Sequence, residues 1–108
     1  MSLFKIHVPI YDFELWVSTH RSYTAGLREL RKKLPFNPVG EDDGVGGGFW
    51  GHGHAGGIWL SAKKHAQHEV LHAVFHILRH KEIPLTEASE EAYAYLADWI
   101  TQEVLNGF

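Results

Sequence analysis

The twelve residues HAQHEVLHAVFH, His65 to His76, hold four histidines and one glutamate. Inside them, His68-Glu69-Val70-Leu71-His72 follows the H-E-x-x-H pattern. Residues four apart lie one turn apart on the same helix face, so His68 and His72 can point imidazole nitrogens at one ion. Glu69 is turned about 100° from His68 and can flank that ion without binding it. A divalent ion with an open position polarises a carbonyl and activates water; a flanking carboxylate then takes the water's proton and passes it to a leaving amine. The chemistry implied is hydrolysis of peptide bonds by a metal-activated water, with Glu69 as the catalytic general base. With nine histidines and nine glutamates in 108 residues, chance would place the pattern about 0.06 times, so its occurrence counts as signal.

Catalytic zinc takes three protein ligands, and two histidines leave one to be found. A metzincin would carry glycine at position 75 and histidine at position 78; Phe75 and Leu78 stand there, which excludes that class. His76 extends the row beyond His72, but a straight helix does not wrap three successive turns around one ion, so His76 reads as a cleft or solvent residue. His65, one turn before His68, reads as solvated. Glu90 and Glu91 open the next helical stretch, SEEAYAYLADWI. Either can be the third ligand, and helical phase does not separate them; the ordinary role for an acid there is a favourable interaction with the helix dipole.

These residues need elements to position them. LFKIHVPIYDFELWVS alternates apolar and polar residues on either side of a break at Pro9 to Asp12, which predicts an antiparallel hairpin. SYTAGLRELRKKLP predicts a helix over 22–34, capped by Ser22 or Thr24, with a Leu27, Leu30, Leu34 stripe and a stop at Pro35. Residues 35–48 hold two prolines, five glycines and three consecutive acids and read as a loop. The acids of EDDG lack the spacing of an EF-hand calcium loop and read as solvated. GFWGHGHAGGIWLSA reads as two short strands around a Gly/His turn, the second over Gly57 to Ala62, with His52 and His54 exposed in that turn. Lys63 to His80 is free of Gly and Pro and places Val70, Leu71, Val74, Phe75, Ile77 and Leu78 on one side, a clear amphipathic helix. The last helix is expected over roughly Thr86 to Leu105, with Thr86 and Ser89 as N-caps and a stripe of Ala92, Tyr95, Leu96, Trp99, Ile100 and Val104. Tyr95 reads as a core tyrosine, and Trp16, Trp50, Trp59 and Trp99 read as core or sheet-face residues.

Composition bounds the rest. A chain of 108 residues is one domain's worth, over 1–108, and 44% apolar with 21% charged residues is ordinary for a globular protein. A net charge of -3 gives no reason to expect nucleic acid or an anionic membrane as partner. The absence of cysteine excludes disulfides and thiolate metal sites, so a metal is held by His, Asp or Glu. No apolar run approaches the ~20 residues of a membrane span, and MSLFKIHVPIYD lacks the apolar stretch of an export signal. A cytoplasmic location is the expectation.

The segment HEVLHAVFHILRHKEIPLTEASEEAYAYLADWI resembles the C-terminal half of small zincin-like metallopeptidases encoded by bacteriophages and prophages. In that group an H-E-x-x-H-A helix precedes an E-A-x-A-Y-L helix, similar to compact gluzincins in which two histidines and a downstream glutamate bind zinc. The resemblance spans roughly residues 57–104. It implies His68 and His72 as zinc ligands and Glu69 as general base. It further implies Glu91 as third ligand, with Glu90 behind it. By the same resemblance, the strand Gly57 to Ser61 corresponds to the edge strand on which an extended peptide substrate pairs. Eighteen residues separate His72 from Glu91, and a large C-terminal subdomain of the kind longer gluzincins carry is not expected.

The expected fold is α+β: a small, mainly antiparallel sheet with one N-terminal helix, the H-E-x-x-H helix and a C-terminal helix bearing the glutamate. The expected function is that of a zinc metallopeptidase with one Zn2+ and a peptide or protein substrate, cytoplasmic in a bacterial host. The alternative is a non-catalytic phage accessory or assembly protein on the same metal-binding scaffold. N/O donors also accept Fe, Co, Ni or Mn.

Overall fold

The computed structural model describes residues 2–40 and 44–108. Glu41, Asp42 and Asp43, the acids expected in a solvated loop, lie outside them. Among the described residues the chain runs β1 (Ser2–Val8), β2 (Phe13–Thr19), α1 (Tyr23–Lys33), β3 (Gly47–His52), β4 (Ala55–Leu60), α2 (Ala66–His80) and α3 (Glu90–Gly107), with one 3-10 turn (Lys63–His65) leading into α2. The fold is α+β, built on a mixed four-stranded sheet in the order β1-β2-β4-β3.

β1 and β2 form the antiparallel hairpin that their alternation requires. Asp12 makes the turn with φ at 48°, a left-handed conformation that Asp tolerates better than most residues. β3 and β4 are also antiparallel, turning at Gly53, whose φ of 58° suits a residue without Cβ. The join between the hairpins is parallel: β4 lies beside β2, with Leu15 opposite Gly56 and Val17 opposite Ile58. A parallel pair needs a long crossover, and between β2 and β4 the chain runs through α1 and β3.

Alternation sends the two faces of the sheet to different helices. Ile6, Val8, Phe13, Leu15, Val17, Ile58 and Leu60 pack against Val70, Val74, Ile77 and Leu78 of α2 and Leu96, Ile100 and Val104 of α3. On the opposite face Trp59 packs with Leu30 and Leu34, flanked by Trp16, Tyr23 and Trp50. Ser22 caps α1 by accepting a hydrogen bond from the Ala25 N–H at 3.2 Å. The Trp59 indole donates to the His20 carbonyl at 2.8 Å, which satisfies the polar edge of an otherwise buried ring.

α2 ends at a Schellman motif. The Ile83 N–H donates to the Leu78 carbonyl at 2.8 Å and the Glu82 N–H to the Arg79 carbonyl at 2.9 Å, with Glu82 left-handed at φ 60°. α3 begins later than expected, at Glu90. Over 86–89 the Ser89 hydroxyl instead donates to the Pro84 carbonyl and accepts from the Thr86 N–H, a local turn that competes with helix.

Three expectations about packing are corrected. Leu71 is 50% exposed, because it lies at the margin of the groove between α2 and α3. Tyr95, at 70% exposed, is not a core tyrosine; the buried one is Tyr93, whose hydroxyl donates to the Ile83 carbonyl at 2.6 Å. Trp99 is 38% exposed and lines a surface groove with Pro9, Ile10, Tyr11 and Tyr95. Gly47, expected in the 35–48 loop, opens β3.

Candidate metal centre

α2 carries the H-E-x-x-H residues in its first two turns. His68 and His72 are exposed, and their Nε2 atoms stand 3.2 Å apart. The rings are 4.9 Å between centroids and inclined by 76°. Two Zn–N bonds of ~2.0–2.1 Å at a tetrahedral angle span about 3.3 Å between nitrogens. The pair therefore already has the separation of two imidazoles on one ion, and also that of a single Nε2–H···Nε2 hydrogen bond. His68, Glu69 and His72 each offer a donor atom within 4.8 Å of the other two. Two solvent-facing nitrogens with a carboxylate oxygen beside them fit a borderline divalent ion that keeps open positions.

Glu69 differs from its neighbours in being buried, at 4% exposed. It turns away from solvent and under the edge of the sheet. A Cβ placed on Gly47 would sit 3.0 Å from both Cγ and Oε2 of Glu69. The missing side chain at Gly47 is what leaves room for this carboxylate. β3 crosses α2 here, so Glu69 lies between the helix and the strand.

The resemblance assigned the edge-strand position to Gly57–Ser61. That assignment is overturned. β4 pairs with β2 on one side and β3 on the other, and all six of its residues are buried. β3 is the outer strand on the side of α2, and among the described residues its free edge pairs with no strand. β4 is interior because the parallel join to β2 inserts it into the sheet, which local alternation does not reveal.

Glu90 and Glu91 are both exposed, in the first turn of α3, and neither belongs to the donor group of His68, Glu69 and His72. The two helices pack antiparallel. Phe75 meets Tyr93 at 5.3 Å between ring centroids, and Gln67 and Leu71 share a groove with Ala97, Asp98 and Thr101. His72 is thus level with about residue 96, and Glu91 lies roughly 7 Å further along the axis at 1.5 Å per residue.

The remaining histidines are distributed more specifically than their solvated reading implied. His65 is half-buried, its Nε2 2.5 Å from where a Cβ on Gly46 would lie. His76 is half-buried between Phe13 and Phe49, at 5.6 and 5.7 Å between ring centroids, with Nε2 3.2 Å from the Gly53 carbonyl. It lines a shallow cavity of about 440 Å³ with Phe49, His72, Phe75, Arg79 and His80. His52 and His54 are exposed, as expected, but the His54 ring meets that of His80. Sequence reasoning missed Gly47, Phe49 and His80. Only the glycine richness of 46–48 signalled a close backbone approach.

No helix among the described residues is long and apolar enough to cross a membrane. Compared with protein-family models, with curated proteins and with solved structures, the chain finds no match in any of the three.

Proposed function

We propose that this protein is a metal-dependent hydrolase of peptide bonds, a compact zincin-like peptidase. One observation carries the reading: the facing Nε2 atoms of His68 and His72, 3.2 Å apart, with the buried Glu69 carboxylate beside them and the free edge of β3 alongside. His68 and His72 hold the ion, zinc being the reading that the resemblance favours. The ion, when bound, supplies Lewis acidity and lowers the pKa of water. Glu69, held between α2 and β3, accepts a proton from water and delivers it to the departing amine. An extended peptide is oriented by hydrogen bonds to the free edge of β3. Glu91, offset by roughly 7 Å along the axis, would join the ligand set only if α3 slid along α2 by that distance.

A second reading rests on the same donor group. Glu69 stands within 4.8 Å of both histidine nitrogens and can itself be the third ligand, which leaves a metal-binding accessory protein without a base. The variant Glu69→Gln separates the two. On the peptidase reading it keeps one tightly bound zinc and loses hydrolysis of a peptide library cleaved by the unaltered chain. Loss of that zinc with Glu69→Gln selects the accessory reading, and unchanged hydrolysis overturns the peptidase.

A further inference from the structure

The far end of α2 holds a second group of imidazoles that the proposed hydrolytic site does not use. His76 and His80 project from the last turns of the helix, and His52 and His54 flank Gly53 in the β3–β4 turn. The His54 and His80 rings lie 4.7 Å apart at 88°. The H-E-x-x-H pair lies 4.9 Å apart at 76°. Two rings brought together from different elements thus reproduce the edge-to-face approach of the candidate metal pair.

We propose that His54 and His80 form a second metal site, for a borderline transition ion such as Cu2+, Ni2+ or Zn2+. Imidazole donors select these ions over Mg2+ and Ca2+, which prefer oxygen. Both rings are exposed, so water completes the coordination. His76 is a positioning residue. Its Nε2–H donates to the Gly53 carbonyl at 3.2 Å, and its Nδ1 would lie 2.8 Å from a Cβ on Gly51. The ring is thereby locked against the turn that carries His54, and its stack on His80, at 6.2 Å with parallel planes, sets the wall behind the site. An ion bridging His54 and His80 ties the β3–β4 turn to the end of α2. This site stands independently of hydrolysis.

Untagged protein stripped of metal and titrated calorimetrically with CuCl2 tests it. The expected result is two equivalents. His54→Ala with His80→Ala removes one and leaves the other, and His68→Ala with His72→Ala does the converse. Metal uptake that His54→Ala with His80→Ala leaves unchanged, whether one equivalent or two, overturns the proposal; a single equivalent lost in that variant and kept in His68→Ala with His72→Ala upholds it and counts against the N-terminal site instead. Paramagnetic broadening in the unaltered chain gives the same answer without depending on how the variants fold. Added Cu2+ broadens the assigned imidazole resonances of His54 and His80 as well as those of His68 and His72; sharp His54 and His80 signals at saturating Cu2+ overturn the site.

Discussion

α2 carries two histidine pairs with the same spacing, and they have opposite geometries. His68 and His72 meet edge to face with their Nε2 atoms 3.2 Å apart. His76 and His80 stand parallel at 6.2 Å and do not converge. Helical spacing is identical, so the difference comes from the neighbours. His76 is held between Phe13 and Phe49 and against the Gly53 carbonyl. His80, left without its helix partner, meets His54 instead. The first pair is exposed, and neither ring is drawn aside. An i, i+4 histidine pair is therefore a candidate metal pair only where packing leaves both rings free to turn toward one another.

The largest expected effect falls on the N-terminal pair. Glu69→Gln lowers hydrolysis by about 10²–10⁴-fold, the usual contribution of a positioned general base, in an assay of peptide cleavage with zinc content measured alongside. His76→Gln leaves both activity and the tight zinc unchanged; a fall of more than tenfold in either would mean that the two ends of the helix work as one site.

Gly47→Ala comes next. Its Cβ would reach within 3.0 Å of Glu69, and a base displaced by a fraction of an ångström costs roughly tenfold in rate. Zinc is retained, so a drop in metal content would place Glu69 among the ligands. His76→Ala removes a hydrogen bond and ring packing and costs about 1–2 kcal/mol of stability, read as a lower urea midpoint. An unchanged midpoint would show that the C-terminal ring arrangement is incidental.

The smallest effect is at the end of the helix. Glu82 sits in the left-handed region, at a cost of about 1–2 kcal/mol for a residue with Cβ. Glycine removes that strain but adds about 0.5–1 kcal/mol of unfolded-chain entropy. Glu82→Gly therefore stabilises by roughly 0.5–1 kcal/mol, seen as a rise in thermal midpoint; a fall would mean that the Glu82 side chain stabilises the helix end.

Much of the fold was legible in short windows of sequence. The β1–β2 hairpin, α1 with its Ser22 cap, the turn around Gly53 and α2 all follow from alternation, helical period and turn residues. α3 was placed too early because the hydroxyls of Thr86 and Ser89 read as caps, whereas Ser89 is spent on a turn with Pro84. Tyr93 and Tyr95 were confused for a similar reason. Two tyrosines two apart on a helix lie on different faces, and which face is inward depends on where α3 meets α2.

The site divides the same way. His68 and His72 could be placed on one face from the sequence because one helical turn separates i from i+4, but that the rings converge depends on neighbours that leave both exposed. Local geometry likewise separates Glu69 from them by about 100°. Long-range packing decided the rest: β4 enters the sheet between β2 and β3, making β3 the free edge over α2. Gly47 then lies against Glu69 and buries it, and the turn at Gly53 brings His54 to His80. Neighbours along the chain set angles on a helix, but burial and convergence depend on residues tens of positions away, whose placement is settled only when the sheet closes around its core.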